Sequence, residues 1–160
     1  MEVNLQMNMN SYYQLAKNDY LFLQSAKESK LYNNIAIQSQ QVIEKYLKHL
    51  VYTFSVEHNE ALRALKSHSL VKLNSILLET GIDLELSRGD LAILKDYYYD
   101  AKYPGDNFIV VSKEDAEHAL YVVEEVKNKI EDYLTSIGYC DNCGALLEDG
   151  SCTSYGCDNS

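Results

Sequence analysis

Apolar residues recur at steps of three and four residues along most of the chain, a spacing typical of amphipathic helices. The first such segment predicts a helix from about Ser11 to Lys30, with its apolar face at Tyr13, Ala16, Tyr20 and Leu23. The second predicts a helix over residues 33–54, with its apolar face at Ala36, Ile43, Leu47, Leu50 and Phe54. The stretch from Ser55 to Lys66 is mixed and more polar, so we expect a loop there.

Three further helices are predicted by apolar spacing together with start and stop residues. The segment HSLVKLNSILLETG stops at Gly81, because glycine readily adopts the left-handed conformation that closes helices. Ser87 and the acidic residue three positions later have the spacing of a capping box and predict a fourth helix, which Pro104 must end. Ser112 begins a fifth helix by the same rule, and its apolar face continues to Gly138.

The composition fits this helical pattern. The 160 residues include one proline and seven glycines, so few residues interrupt a helix. With 46% hydrophobic and 24% charged residues, the chain can bury an ordinary globular core. We therefore predict an all-α fold.

The charge balance limits the partners that the protein can bind. Fourteen basic and 24 acidic side chains give a formal charge of -10, which argues against non-specific binding to duplex DNA. The chain lacks a run of about 18 apolar residues and a start of the secretory type, so we expect a cytoplasmic protein without a membrane segment.

All four cysteines lie close to the end of the sequence. Cys140 and Cys143 form a C-x2-C pair, and Cys152 and Cys157 follow after eight residues with four between them. Four thiolates suit a tetrahedral structural zinc ion, and the short spacing allows only a small knuckle or ribbon. Two disulfides, an iron centre of the rubredoxin type and a disordered thiol tail are the alternatives. We expect two parts, a helical domain over residues 10–137 and a zinc-binding tail over residues 138–160.

Four short sequences, in this order and spacing, resemble the HEPN family: QQVIEKYLKHL in the second helix, HSL opening the third, KYP after the fourth and SKEDAEHAL opening the fifth. The resemblance covers roughly residues 10–137. It implies a five-helix up-and-down bundle that commonly forms a homodimer, with a groove associated with nucleotides or RNA. Small HEPN proteins also pair with minimal nucleotidyltransferases, in some cases as toxin–antitoxin systems, so such an enzyme is an expected partner.

Polar residues of the second helix and of the KYP segment are the candidate ligand-binding residues: Gln41, Glu44, Lys45, Lys48, Lys102 and Tyr103. The first four have two interpretations. Glu44 and Lys48 are an i,i+4 pair that suits a solvated helix face. Alternatively, the four line a polar groove in which lysines meet phosphate.

The resemblance also bears on catalysis. Many HEPN ribonucleases carry an arginine followed four to six residues later by a histidine, but no histidine follows Lys102 in AKYPGDNF. Arg63 and His68 match the motif in RALKSH, at the entry to the third helix rather than after it. We therefore expect a non-catalytic binding protein, with a ribonuclease that cleaves single-stranded RNA through Arg63 and His68 as the alternative.

The run from Tyr97 to Tyr99 gives one more candidate contact. Three successive residues cannot share one face of a helix, so at least one of these rings should point away from the core. That ring is a candidate interface or ligand contact.

Overall fold

The structure is a computed structural model that describes residues 11–153 and residue 157. Six helices and one small hairpin follow in chain order: α1 Tyr12–Ala26, α2 Tyr32–Phe54, α3 Ala61–Leu65, α4 Leu70–Glu79, α5 Arg88–Asp100, α6 Lys113–Ser136, β1 Leu147–Glu148 and β2 Ser151–Cys152. The strands pair antiparallel, with Leu147 opposite Cys152. The predicted all-α bundle is confirmed, and the two short strands are a minor addition.

Helix α2 is the centre of the bundle, because it packs against α1, α4, α5 and α6. Most of its residues are buried, and Ile43, Tyr46, Leu47 and Leu50 are fully enclosed. A 23-residue helix that is apolar on most sides must lie inside a bundle rather than on its surface. The polar residues of α2 are consequently drawn into the interior as well.

The five predicted helices correspond to α1, α2, α4, α5 and α6. The additional helix, α3, lies within the segment from Ser55 to Lys66 for which we expected a loop. Its five residues form little more than one turn, and Ala61 and Ala64 are buried against the bundle. A helix this short depends on tertiary packing and leaves no periodic signal in the sequence.

Serine residues fix the starts of four helices. Ser11, Ser69, Ser87 and Ser112 each accept a hydrogen bond from the backbone N–H three residues later. The capping box is complete at Ser112, where the Asp115 carboxylate accepts a hydrogen bond from the backbone N–H of Ser112. At the start of α5 the carboxylate of Asp90 instead bonds the Nε2 atom of His118 at 2.9 Å, which ties α5 to α6.

Asn33, in the first turn of α2, holds the connection between α5 and α6. Its Nδ2 atom donates to the carbonyl oxygens of Ala101 at 2.9 Å and Ile109 at 2.8 Å. Its Oδ1 atom accepts from the backbone N–H of Val111 at 2.9 Å. One side chain therefore positions both ends of the segment that carries Lys102 and Tyr103.

Among the described residues, no helix combines the length and apolar character that a bilayer crossing requires. The hairpin and the cysteines form a second, smaller buried cluster, separate from the core of the bundle. Residues 10–137 and 138–160 as two domains stay a prediction.

Candidate functional site

Three buried polar side chains of α2 and the half-buried histidine before α4 form a group that we call the polar cluster: Gln40, Glu44, Lys48 and His68. Glu44 is 4% exposed and Lys48 is 7% exposed. Lys48 Nζ lies 2.6 Å from Glu44 Oε1, and Gln40 Nε2 donates to Glu44 Oε2 at 2.7 Å. A carboxylate can remain charged at this depth because each oxygen accepts a hydrogen bond.

His68 joins the polar cluster from the segment that leads into α4. Its Nδ1 atom lies 3.1 Å and 3.2 Å from the two oxygens of Glu44. Gln40 Nε2 also approaches the backbone oxygen of His68 at 3.2 Å, which fixes the main chain at the entry to α4. A carboxylate on Nδ1 favours the tautomer in which that nitrogen carries the proton and Nε2 is free to accept.

The structure separates the candidate residues of α2 into two groups. Glu44 and Lys48 belong to the polar cluster, so they do not form the solvated helix face that was one interpretation. Gln41 is half-buried and donates to Gln40 Oε1 at 2.6 Å. Lys45 pairs with Asp19 of α1. The ammonium groups of both lysines therefore already have carboxylate partners within the chain.

Tyrosines and a lysine form an exposed surface over His68, which we call the tyrosine surface: Tyr98, Tyr99, Lys102 and Tyr103. The Tyr98 ring stacks on the His68 ring, with centroids 3.6 Å apart and planes 12° apart. Lys102 Nζ lies 4.3 Å from the centroid of the Tyr98 ring, in a cation–π contact. Burial raises the pKa of the Tyr98 hydroxyl.

Two rings of this surface face solvent. Tyr99 is 56% exposed and Tyr103 is 57% exposed, whereas Tyr97 is buried at 3%. The prediction that one ring of the run from Tyr97 to Tyr99 points away from the core is confirmed. Tyr99 packs edge-on against Tyr98, with ring centroids 4.6 Å apart, and lies edge-on to the His68 ring at 6.0 Å.

A cleft of about 420 Å³ lies beside the tyrosine surface, between the entry to α4 and the outer side of α5. It is lined by Lys66, Ser67, His68, Ser69, Lys95, Asp96, Tyr99 and Asp100. Lys95 lies 3.6 Å from Asp96 on its own helix. Aromatic, hydroxyl and cationic groups thus meet in one open cleft.

Sequence reasoning missed Gln40, Lys66 and Lys95 as members of this site. Gln40 carried a signal, since it lies four residues before Glu44 and so on the same side of α2. Lys66 and Lys95 carried none, because they meet only when α5 packs beside the chain that enters α4.

The structure does not unite Arg63 and His68 in a catalytic pair. Arg63 is highly exposed and its Nη1 atom lies 3.4 Å from Glu60 Oε2. The same carboxylate oxygen lies 3.7 Å from Lys72 Nζ. Among the described residues, Arg63 therefore pairs with Glu60 at the surface, whereas His68 bonds Glu44.

The four cysteines come together at the end of the chain as a group of thiols. Their sulfur atoms all lie within 4.8 Å of one another. Sγ–Sγ distances are 3.8 Å for Cys140 and Cys157 and 3.2 Å for Cys143 and Cys152. A tetrahedral site with metal–sulfur bonds of about 2.3 Å places its sulfurs about 3.8 Å apart. The four thiols are therefore close enough together that they could hold one metal ion.

The cysteine group forms a small buried cluster of its own, with Ala145 and Leu147 packed against it. Three of the four cysteines are buried, and burial raises the pKa of the Cys143 thiol. His49 of α2 lies nearby, and burial lowers its pKa to about 4, so it adds no positive charge at neutral pH.

Comparison with known families agrees with the fold and with the resemblance seen in the sequence. A family model described as the HEPN domain matches residues 9–133, which is more than half of the chain. Searches of curated proteins and of solved structures found no match. The matched range contains α1 to α5, most of α6 and all of the site around His68, and it ends before the cysteines. The chain therefore belongs to the HEPN domain family.

Proposed function

We propose that this protein is a non-catalytic HEPN protein that binds a nucleotide or the end of a single-stranded RNA at the tyrosine surface. The observation that carries the proposal is the exposure of the Tyr99 and Tyr103 rings beside Lys102 and the cleft at His68. An exposed ring next to a cation offers a nucleobase a face to stack on and offers phosphate a charge.

Stacking supplies most of the expected affinity. A base stacked on an aromatic side chain contributes about 1–3 kcal/mol, whatever the base. Tyr99 is held edge-on by Tyr98, so its ring is already oriented and loses little freedom when a ligand binds.

The phosphate would be held by lysines at the edge of this surface. Lys66 and Lys95 line the cleft, and Lys102 lies over the Tyr98 ring. Asp96 and Asp100 line the same cleft, so its net charge is close to zero. With a formal charge of -10 for the whole chain, these lysines suit one or two phosphates rather than a long polyanion.

The polar cluster gives this surface its rigidity. Glu44 fixes the Nδ1 side of His68, and the His68 ring in turn supports Tyr98. Lys48 neutralises Glu44 inside the bundle and is therefore proposed to act on the ligand only through this support.

A titration with a fluorescent mononucleotide tests the proposal. Lys102→Ala should weaken binding by about tenfold, or ~1.4 kcal/mol. Tyr99→Leu should weaken binding by about 1–3 kcal/mol, because the stacking face is lost. Lys113→Ala and Tyr121→Leu are the matched controls, since both residues are exposed on α6, and they should bind like the wild type. Equal affinity in all four variants would remove the proposed surface.

A ribonuclease is the second candidate, and one observation favours it. Glu44 bonds the Nδ1 side of His68, an arrangement that orients an imidazole for proton transfer through Nε2. The cation that would stabilise a phosphorane must then be a lysine of the cleft, because the ion pair of Arg63 is with Glu60.

For the cysteine group we propose one structural zinc ion per chain, held by Cys140, Cys143, Cys152 and Cys157. Zinc takes four thiolates in a closed tetrahedral site and would hold the loop after α6 and the hairpin together. Elemental analysis of protein purified without chelator should find one zinc per chain. Iron at that ratio would support the rubredoxin-type alternative instead.

A further inference from the structure

We propose that Lys17 of α1 is a positioning residue of the metal site, which acts on the ligand Cys157 through the side chain of Asn142. His49 and Tyr13 hold the loop that carries Cys140 and Cys143 against the bundle. The inference rests on the proposed metal ion. It assigns to the helical bundle a part in metal binding that the spacing of the cysteines alone does not require.

A chain of hydrogen bonds connects α1 to a cysteine sulfur. Lys17 Nζ donates to Asn142 Oδ1 at 2.7 Å and to the Asn142 backbone oxygen, also at 2.7 Å. Asn142 Nδ2 in turn donates to Cys157 Sγ at 3.2 Å. The lysine thus fixes the orientation of the amide, so that its NH2 group rather than its oxygen faces the sulfur.

The charge of Lys17 acts in the same direction as this geometry. An ammonium group on the amide oxygen polarises the amide and strengthens its N–H donors. A stronger donor at Cys157 complements the negative charge of a sulfur that ligates a metal. Four thiolates around one divalent ion leave a charge near -2, which a nearby cation also offsets.

The rest of the loop that carries Cys140 and Cys143 lies against the same face of the bundle. The Tyr13 hydroxyl donates to the backbone oxygen of Asp141, and Tyr13 itself is fully buried. Asp141 and Asn142 are the two residues between Cys140 and Cys143, so α1 holds the C-x2-C turn along its whole length.

On the other side of Cys143, Gly144 lies against His49. A Cβ atom built at Gly144 would lie 2.8 Å from His49 Nε2 and 3.2 Å from the Tyr13 ring. Gly144 also has a φ of +76°, a conformation that favours glycine. The close approach shows that the loop and the bundle fit each other at this point without free space.

A cobalt titration of the full chain, with zinc competition, tests the inference. The variants are Lys17→Met, which keeps the length of the side chain, and Gly144→Ala, which pushes the loop away from His49. The controls are Lys27→Met, an exposed lysine just beyond α1, and Gly150→Ala, which has a similar φ of +79° but no atom within 4 Å of the new Cβ. Circular dichroism checks that each variant retains its helices.

We expect Lys17→Met and Gly144→Ala to lower the metal affinity by about tenfold or more while the cobalt spectrum still reports four thiolates. The two controls should stay within about threefold of the wild type. Wild-type binding with no loss in either test variant would overturn this inference and leave the metal site intact. Failure of the wild-type protein to bind any metal would overturn both proposals.

Discussion

Glu44 links the interior of the bundle to its surface, because its carboxylate meets Gln40, Lys48 and His68 at the same time. Burying an ion pair costs solvation energy that good hydrogen-bond geometry only offsets. Removing one partner is therefore more harmful than the net contribution of the pair suggests, since the other charge stays buried.

Glu44→Ala should lower the free energy of unfolding by about 3–5 kcal/mol, because Lys48 is left without its carboxylate. Lys48→Met should cost less, since Glu44 keeps Gln40 and His68 as partners. Urea unfolding at neutral pH measures both values.

The surface pair Lys113 and Glu117 is the matched control for this comparison, because it has the same i,i+4 spacing in solvent. Glu117→Ala should change stability by less than about 1 kcal/mol. If Glu44→Ala were as mild as Glu117→Ala, the polar cluster would not stabilise the fold.

Prediction from sequence succeeded for the residues whose spacing is itself the signal. The four cysteines meet as their C-x2-C and C-x4-C spacings require. The burial of Glu44 and Lys48 could not be predicted, because an i,i+4 pair has the same spacing inside a bundle and on its surface. This pair is buried because the segment that leads into α4 packs over it. That segment brings His68, which lies 24 residues after Glu44 in the chain, into contact with the Glu44 carboxylate.

At the scale of elements, the connection between α5 and α6 is positioned by one side chain of another helix. Asn33 makes three hydrogen bonds to its backbone, at Ala101, Ile109 and Val111. The segment between these bonds carries Lys102 and Tyr103, so the order of the tyrosine surface depends on the start of α2.

Asn33→Ala should release this segment, because three hydrogen bonds of about 1 kcal/mol each are lost. Hydrogen exchange at the amide of Val111 should become faster, and mononucleotide binding should weaken several-fold. Asn34→Ala is the control, since Asn34 is exposed and follows directly in sequence. Unchanged exchange in Asn33→Ala would mean that helix packing alone holds the connection.

Elements with a long apolar period or a clear cap were predicted from sequence. Ser11, Ser87 and Ser112 are N-caps where we expected helices to begin. Helix α3 was missed because its five residues gain their stability from burying Ala61 and Ala64 and not from local pattern.

At the scale of the whole molecule, a bundle with its own apolar core carries a small cysteine module on the face made by α1 and α2. The presence of a cysteine group that could hold a metal ion was predictable from composition and spacing. The face of the bundle on which this cysteine group packs was not predictable, because Tyr13 and Lys17 lie 128 and 125 residues from their partners in the chain.

Since the two cores are separate, removing the metal should leave most helical structure in place, as circular dichroism after chelation would measure.

The separate cores also bear on how ligand binding should respond to the metal. The tyrosine surface is formed by α5 and the segment after it, whereas the cysteine module contacts α1 and α2. We therefore expect the proposed binding at the tyrosine surface to depend on the bundle and to be independent of the metal.

The most direct test follows the anisotropy of a short single-stranded RNA labelled at its 5′ end, with a denaturing gel of the same samples. We predict an anisotropy that rises on mixing and then stays constant, RNA that remains intact, and weaker binding in Lys102→Ala and Tyr99→Leu. Anisotropy that decays as fragments appear, with cleavage slowed about 10²–10⁴-fold in His68→Ala, would overturn the proposed non-catalytic binding and identify a ribonuclease.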